Sequence, residues 1–334
     1  MITSTWNNYE LSRLMLGTVQ FGLPYGVANR TGQPEYRDVL AIVAAAVEGG
    51  VNCFDTAAAY GTSEEVLGRA LRELGVADQV LIVTKVRPLS PGEMSEPALA
   101  SRAIECSVEE SRRRLQLDCL PLVLFHRELD AKYLEVLDGL RAKGWLSHLG
   151  VSCENRPGPA LKFVEAGNVS ALQLPGNVLD RRHQRSGIFQ SAASRGMAVF
   201  LRSVYLQGLL VMNERDIPPG LRDVIPAREK LEDLAGEAGL GLAELALRFL
   251  LSQDGLTCVL TGVETVAQVR DNLTLFDRGP LPDDLLHAIA DATPELPETL
   301  LTPSLWPPWE TFPPRLSSRR SADGTCGVVC DRTD

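Results

Sequence analysis

Among the first 130 residues, four side chains of types that move protons stand out by their placement: Asp55, Tyr60, Lys85 and His126. Asp55, Lys85 and His126 each follow an apolar, β-prone run, within VNCFD, VLIVTK and LPLVLFH. Such runs are expected of strands buried on both faces. A carboxylate at a strand end, with a phenol five residues on and Gly61 behind it, is an odd construction for stability alone. At the C-terminal mouth of a parallel barrel it is where reacting groups sit. VNCFDTAAAYG by itself also admits a plainer reading, in which Asp55 caps the next helix and Tyr60 packs on the loop. An acid, an ammonium and an imidazole at three consecutive strand ends are hard to reach by chance.

The elements that position them follow a regular alternation. Strand signals fall at Leu14–Leu16, Val51–Phe54, Val80–Thr84, Leu120–Phe125, His148–Ser152, Ser170–Leu174, Ala198–Ser203 and Thr257–Leu260. Helical spacing of apolar residues follows each, as with Val39, Ile42, Val43 and Ala46 ahead of the Gly49-Gly50 stop. Eight such units without a composition shift predict an α/β protein, a closed (β/α)8 TIM barrel in a single domain over residues 1–293. No GxGxxG follows the first strand, so an open dinucleotide-binding sheet has no support. A Pro- and Trp-rich segment, 294–314, is expected to lie extended and non-helical across the barrel, and 315–334 to be a disordered tail.

Composition narrows the function classes. The chain of 334 residues is 45% apolar and 23% charged, with a net charge of −10. That balance is ordinary for a soluble globular protein and argues against a nucleic-acid surface, which needs clustered Lys and Arg. Arg112–Arg114, the one basic cluster, reads as a solvated helix face among Glu109 and Glu110. No apolar run approaches the roughly 20 residues that span a bilayer, and the N-terminus lacks a signal-peptide pattern, so a cytoplasmic protein with no membrane contact is expected. Cys53, Cys106, Cys119, Cys153 and Cys258 read as reduced core or pocket residues, and Cys326 and Cys330 as a mobile thiol pair.

The motifs FDTAAAYG, IVTKV and LVLFH resemble the aldo-keto reductase superfamily, whose fold is this barrel, over about residues 13 to 305. The resemblance implies that Asp55, Tyr60, Lys85 and His126 form a catalytic tetrad. It further implies hydride transfer from NAD(P)H to an aldehyde or ketone, without a metal. The physical logic agrees. Hydride addition leaves an alkoxide that needs a proton, and a phenol of pKa about 10 is a slow acid near neutrality. An ammonium beside it is expected to lower that pKa, with a carboxylate holding the ammonium. Tyr60 is then the acid, Lys85 its tuner, Asp55 the partner of Lys85, and His126 a hydrogen-bond donor to the substrate oxygen. Arg127 either holds an anionic substrate or pairs with Glu128, the latter being the expectation.

The resemblance also implies cofactor positions. Gly17 and Thr18 close the first strand, and Ser152 and Gln173 match residues that hold the nicotinamide carboxamide. Asn177 and Asp180 fall in the loop after the sixth strand. RSVYLQGLL matches a loop over the pyrophosphate, with Ser203, Leu206 and Gly208 as contacts. Arg202 stands where many members stack an aromatic ring, and a guanidinium can also stack. In TGVETVAQVRDN, Gly262, Glu264, Gln268 and Asn272 match the adenosine end, at a helix N-terminus suited to an anion. The cations that many NADPH-dependent members place there are missing, and Glu264 would disfavour a 2′-phosphate while accepting a bond from a free 2′-hydroxyl. Helix capping by Glu264 or Thr265 is the alternative. The expected function is reduction, or reversible oxidation, of a small polar, sugar-like carbonyl substrate, with NADH accepted beside NADPH. A regulatory protein that senses nucleotide and binds a protein partner on this scaffold is the alternative.

Overall fold

The computed structural model describes residues 1–26, 29 and 32–306. The chain opens with an antiparallel hairpin, β1 (Thr3–Trp6) and β2 (Tyr9–Ser12). Eight parallel strands follow: β3 (Leu14–Gly17), β4 (Cys53–Asp55), β5 (Leu81–Val86), β6 (Leu120–Phe125), β7 (Leu146–Ser152), β8 (Ala171–Pro175), β9 (Ala198–Arg202) and β10 (Cys258–Gly262). β10 pairs back onto β3, so the sheet closes into a barrel. These are the eight expected runs, each within two residues of its expected bounds. Among the described residues no helix is long and apolar enough to cross a membrane.

Successive side chains of a strand face opposite sides, and that alternation sorts the barrel. On β5, Leu81 and Val83 join the axial core, while Ile82 and Val86 pack outwards under the helices. On β6, Leu122 and Leu124 point inwards, and Val123 and Phe125 outwards. On β4, Cys53 is inside and Phe54 outside. The next inward place on each strand belongs to Asp55, Lys85 and His126. The helix Tyr36–Glu48 buries Val39, Ile42, Val43 and Ala46, and each large apolar side chain so buried is worth about 1.5–3 kcal/mol. Gly50 ends the turn after it at φ +85°, a conformation that favours glycine.

The hairpin was not anticipated from the sequence. Asn7 turns it at φ +50°, and Trp6 and Leu11 plug the N-terminal end of the axial core. The Trp6 indole donates to the Gly196 carbonyl at 3.1 Å, and Asn52 accepts from the Ser12 N–H at 2.8 Å.

Other expectations need correction. Cys53, Cys153 and Cys258 are buried, but Cys106 and Cys119 are exposed, on outer helix and strand-start positions rather than in the core. The prolines after Pro294 do not exclude helix, because they sit at its start: Pro297 precedes the turn Glu298–Leu301, and Pro303 opens a 3-10 turn to Leu305. Asp283–Ala292, unread in the sequence, is a full helix. Trp306 is half-buried, its indole donating to the Leu300 carbonyl at 3.2 Å. Trp309, Cys326, Cys330 and the tail lie outside the described residues.

Candidate active site

Lys85, only 1% exposed, reaches into the barrel mouth with three hydrogen-bonding acceptors around its ammonium. Asp55 Oδ1 is at 2.6 Å, the Thr56 carbonyl at 2.9 Å and the Tyr60 hydroxyl at 3.4 Å. A buried charge is costly unless paired and hydrogen-bonded, and here all three N–H bonds have a partner. Burial pulls the Lys85 pKa down, and Asp55 pushes back. Beneath the turn, Thr18 donates to the Asp55 carbonyl at 2.8 Å and meets Ser63 Oγ at the same distance.

The backbone of the turn is locked by two glycines. Gly61 has φ +57°, and a Cβ there would stand 2.4 Å from the Gly22 carbonyl oxygen. A Cβ on Gly22 would stand 1.8 Å from the carbonyl oxygen of Tyr60. The Tyr60 ring is thereby set edge-on to His126, with centroids 5.6 Å apart and planes at 83°.

The electrostatics of Tyr60 differ from the sequence expectation. Burial pushes its pKa well above the ordinary phenol value, Asp55 adds to the rise, and Arg202 opposes it. Lys85 reaches the hydroxyl only at 3.4 Å, and burial outweighs it. Tyr60 is therefore protonated across the working pH range. His126 is held down at about 3, first by burial and then by Lys85, Arg202 and Arg127. Its imidazole is neutral, and its buried Nδ1 has no partner among the described residues. Arg127 pairs not with Glu128 but with Asp130, through Nε at 3.0 Å and a terminal nitrogen at 2.9 Å, and it donates to the Leu89 carbonyl. Three residues on, Asp130 offers both oxygens to the guanidinium fork, while Glu128 accepts from the Glu154 N–H at 2.9 Å.

A cavity of about 420 Å³ opens above these groups. Asp55, Tyr60, His126, Ser152, Gln173 and Arg202 line one end, and Gly262, Glu264 and Gln268 the other. Gly17, Ser203 and Gly208 also line it. Four expected residues stand behind this wall. Lys85 and Thr18 lie under the turn, and Leu206 is buried. Asn272 donates to Thr261 Oγ1 at 3.2 Å, and it is Thr261 that faces the cavity. Asn177 and Asp180 also build rather than line: Asn177 donates to the Ser203 carbonyl at 3.2 Å, and Asp180 pairs with Arg182 at 2.8 Å.

Wall residues that the sequence reading missed come from the same loops as those it found. Gln20 and Tyr25 follow β3, Tyr205 and Gln207 follow β9, and Thr261 lies one residue before the end of β10. Gln207 donates to the Tyr25 hydroxyl at 3.1 Å, joining two loops over the cavity. Ser203, Leu206 and Gln207 all have positive φ, so the loop after β9 doubles back tightly. At the far end Thr265 caps the helix Val266–Asp277, accepting from the Gln268 N–H, while Gln268 accepts from the Glu264 N–H at 2.6 Å. Capping thus belongs to Thr265, and Glu264 faces the cavity. Among the described residues, Arg202 is the sole Lys or Arg lining it.

A cavity running from a proton-transfer group to a helix N-terminus, with a polar floor, fits a reduced nicotinamide dinucleotide. Comparison with known proteins agrees. A probable voltage-gated potassium channel subunit beta of Arabidopsis thaliana is 26% identical, covering 88% of this chain and 99% of its own length. The NADH-specific methylglyoxal reductase of Escherichia coli is 25% identical over 80% of this chain and 90% of its own. The solved glycerol dehydrogenase of Gluconobacter oxydans superposes with a TM-score of 0.68 at 25% identity, covering 87% and 94% of the two chains. The sequence profile of the aldo/keto reductase family matches residues 13–293, and this chain belongs to that family of NAD(P)H-dependent oxidoreductases.

Proposed function

We propose that this enzyme reduces, or reversibly oxidises, an aldehyde or ketone of a small polar, sugar-like metabolite, with Tyr60 as the general acid. The observation that carries this is the Asp55–Lys85–Tyr60 hydrogen-bonded chain, opening beside neutral His126 into the cavity. A reduced nicotinamide dinucleotide would supply the hydride when bound. Ser152 and Gln173 would hold its carboxamide, and the loop Ser203–Gly208 and the Val266 helix N-terminus its phosphates and adenosine. His126, uncharged, donates an N–H to the carbonyl oxygen and fixes its direction. Tyr60 gives its proton to the same oxygen; an alkoxide is more basic than a phenolate, so even a phenol of raised pKa suffices. Lys85, anchored on Asp55 and Thr56, faces the negative charge that Tyr60 acquires.

Relatives named for methylglyoxal and glycerol support a small oxygen-rich substrate. Glu264 in the cavity wall, and a relative named as NADH-specific, support NADH being accepted at least as well as NADPH. A second reading, a nucleotide-sensing regulator with a protein partner, draws on the channel-subunit relative. A panel of small carbonyls, followed by oxidation of NADH and NADPH beside cofactor titration, separates the two. Turnover is expected; tight cofactor binding with no turnover on any carbonyl would favour the regulator.

A further inference from the structure

A second cavity, of about 350 Å³, lies between the loop after β8 and the C-terminal segment 294–301, and shares no lining residue with the first. Four guanidinium groups and three carboxylates line it. Arg182 meets both oxygens of Asp180 at 2.8 Å, Arg156 meets Glu298 at 3.0 Å, and Arg185 meets Glu295 at 2.5 Å. Arg181, the fourth, is only 7% exposed, and among the described residues no carboxylate lies within ion-pairing distance of it. One of its terminal nitrogens donates to the carbonyls of Ala290 at 3.3 Å and Thr293 at 3.1 Å, at the end of the helix Asp283–Ala292. Capping that helix accounts for these two bonds. A guanidinium carries five N–H bonds, and the other three of Arg181 have no acceptor among the described residues. Burial pulls its pKa down, Arg185 adds to the fall, and Glu295 opposes it.

Arg181 and Arg185 stand one helical turn apart, the Arg185 N–H donating to the Arg181 carbonyl at 2.8 Å, and both line the cavity. Glu295, the acid that acts on both, is 84% exposed, so water screens its pairing and another anion can take its place. With Glu295 swung out, the four guanidinium groups of the lining face two carboxylates, Asp180 and Glu298, an excess of two charges. We propose that this cavity binds a doubly charged oxyanion, inorganic phosphate or the phosphate of a phosphomonoester, which displaces Glu295 and bridges Arg181 and Arg185. Guanidinium forks match phosphate oxygens in pairs, and a dianion balances the two charges that one carboxylate cannot.

Calorimetric titration of the full chain with inorganic phosphate and with glycerol 3-phosphate tests it. The protein is first saturated with NADH, so that the dinucleotide cavity is filled, and ionic strength is held with chloride. One saturable site is expected, and the tighter of the two anions shows which source it serves. Arg185→Gln should weaken binding about tenfold, as expected for losing a charged hydrogen-bond donor. Glu295→Gln removes the resident competitor and should tighten binding several-fold, which a merely structural tie would not do. Neither side chain is buried, so both variants keep the fold. Arg181→Lys keeps the charge but loses the fork, and should weaken binding as well. Absence of saturable binding up to about 10 mM of either anion overturns the proposal. So does binding that is unchanged in Arg185→Gln or weakened in Glu295→Gln. The variants locate the anion whether or not a dinucleotide binds, so this site stands or falls apart from the reductase reading.

Discussion

Gln173 donates its side-chain amide to Oδ1 of Asp55 at 2.7 Å, across the axis of the barrel. The same oxygen accepts from Lys85, and the far end of the Gln173 amide lies 3.4 Å from Ser152 Oγ. The floor expected to hold the cofactor and the groups expected to move the proton are therefore one buried polar network, in which each bond strengthens its neighbours. Gln173→Leu should leave Asp55 short of a donor, lowering kcat about tenfold and weakening cofactor binding together. Steady-state kinetics with a cofactor titration checks this; a change in one quantity alone would show that the bond does not couple them.

Tyr60→Phe keeps the ring against His126 and removes the proton. Turnover on a good substrate should drop by about a thousandfold, within the usual range for losing a general acid, with cofactor affinity held within a few-fold. Retention of a substantial fraction of kcat would reject Tyr60 as the acid.

His126 has a signature in stability against pH. Its native pKa, about 3, lies below its unfolded value of 6.5, so between those limits only the unfolded chain takes up the proton. The stability that neutral His126 contributes is complete above pH 6.5 and is lost as pH falls towards 3. At pH 4.5 the loss is about 2.5 kcal/mol. Urea unfolding at pH 7 and 4.5 should show His126→Gln losing less stability on acidification than wild type, by about that amount.

Glu264 sets the cofactor prediction. A carboxylate in the wall at the adenosine end disfavours a 2′-phosphate by on the order of 1 kcal/mol after screening and pairing. That favours NADH several-fold, and Glu264→Arg should reverse the preference. Dissociation constants for both cofactors, wild type and mutant, are the measurement. A wild type that binds NADPH tenfold tighter would sink the idea.

What was legible in the sequence follows from period and reach. The strands could be read because Leu81–Val86 and Leu120–Phe125 are apolar on both faces, and alternation then dictated that Asp55, Lys85 and His126 share one end. The hairpin escaped because TSTW and YELS are short and mostly polar, although the Asn7-Asn8 pair between them is a turn signal. The cavity wall escaped where loops fold onto each other, as with Tyr25 and Gln207, 182 positions apart. The rise in the Tyr60 pKa escaped for another reason: spacing shows that Lys85 is near, but not how deeply the phenol is buried or that Asp55 faces it too.

The face-to-face packing of Gly22 and Gly61 limits how this enzyme can be altered. Replacing loop glycines by alanine is a common route to thermostable variants, worth about 0.4–1 kcal/mol where the backbone allows. Here either methyl would collide with a carbonyl oxygen rather than with a side chain that could be trimmed. No compensating second substitution exists, because the clash partner is the main chain common to all amino acids. Directed evolution of this scaffold should find its productive diversity in the loops after β3 and β9, with both glycines returned unchanged from every selection.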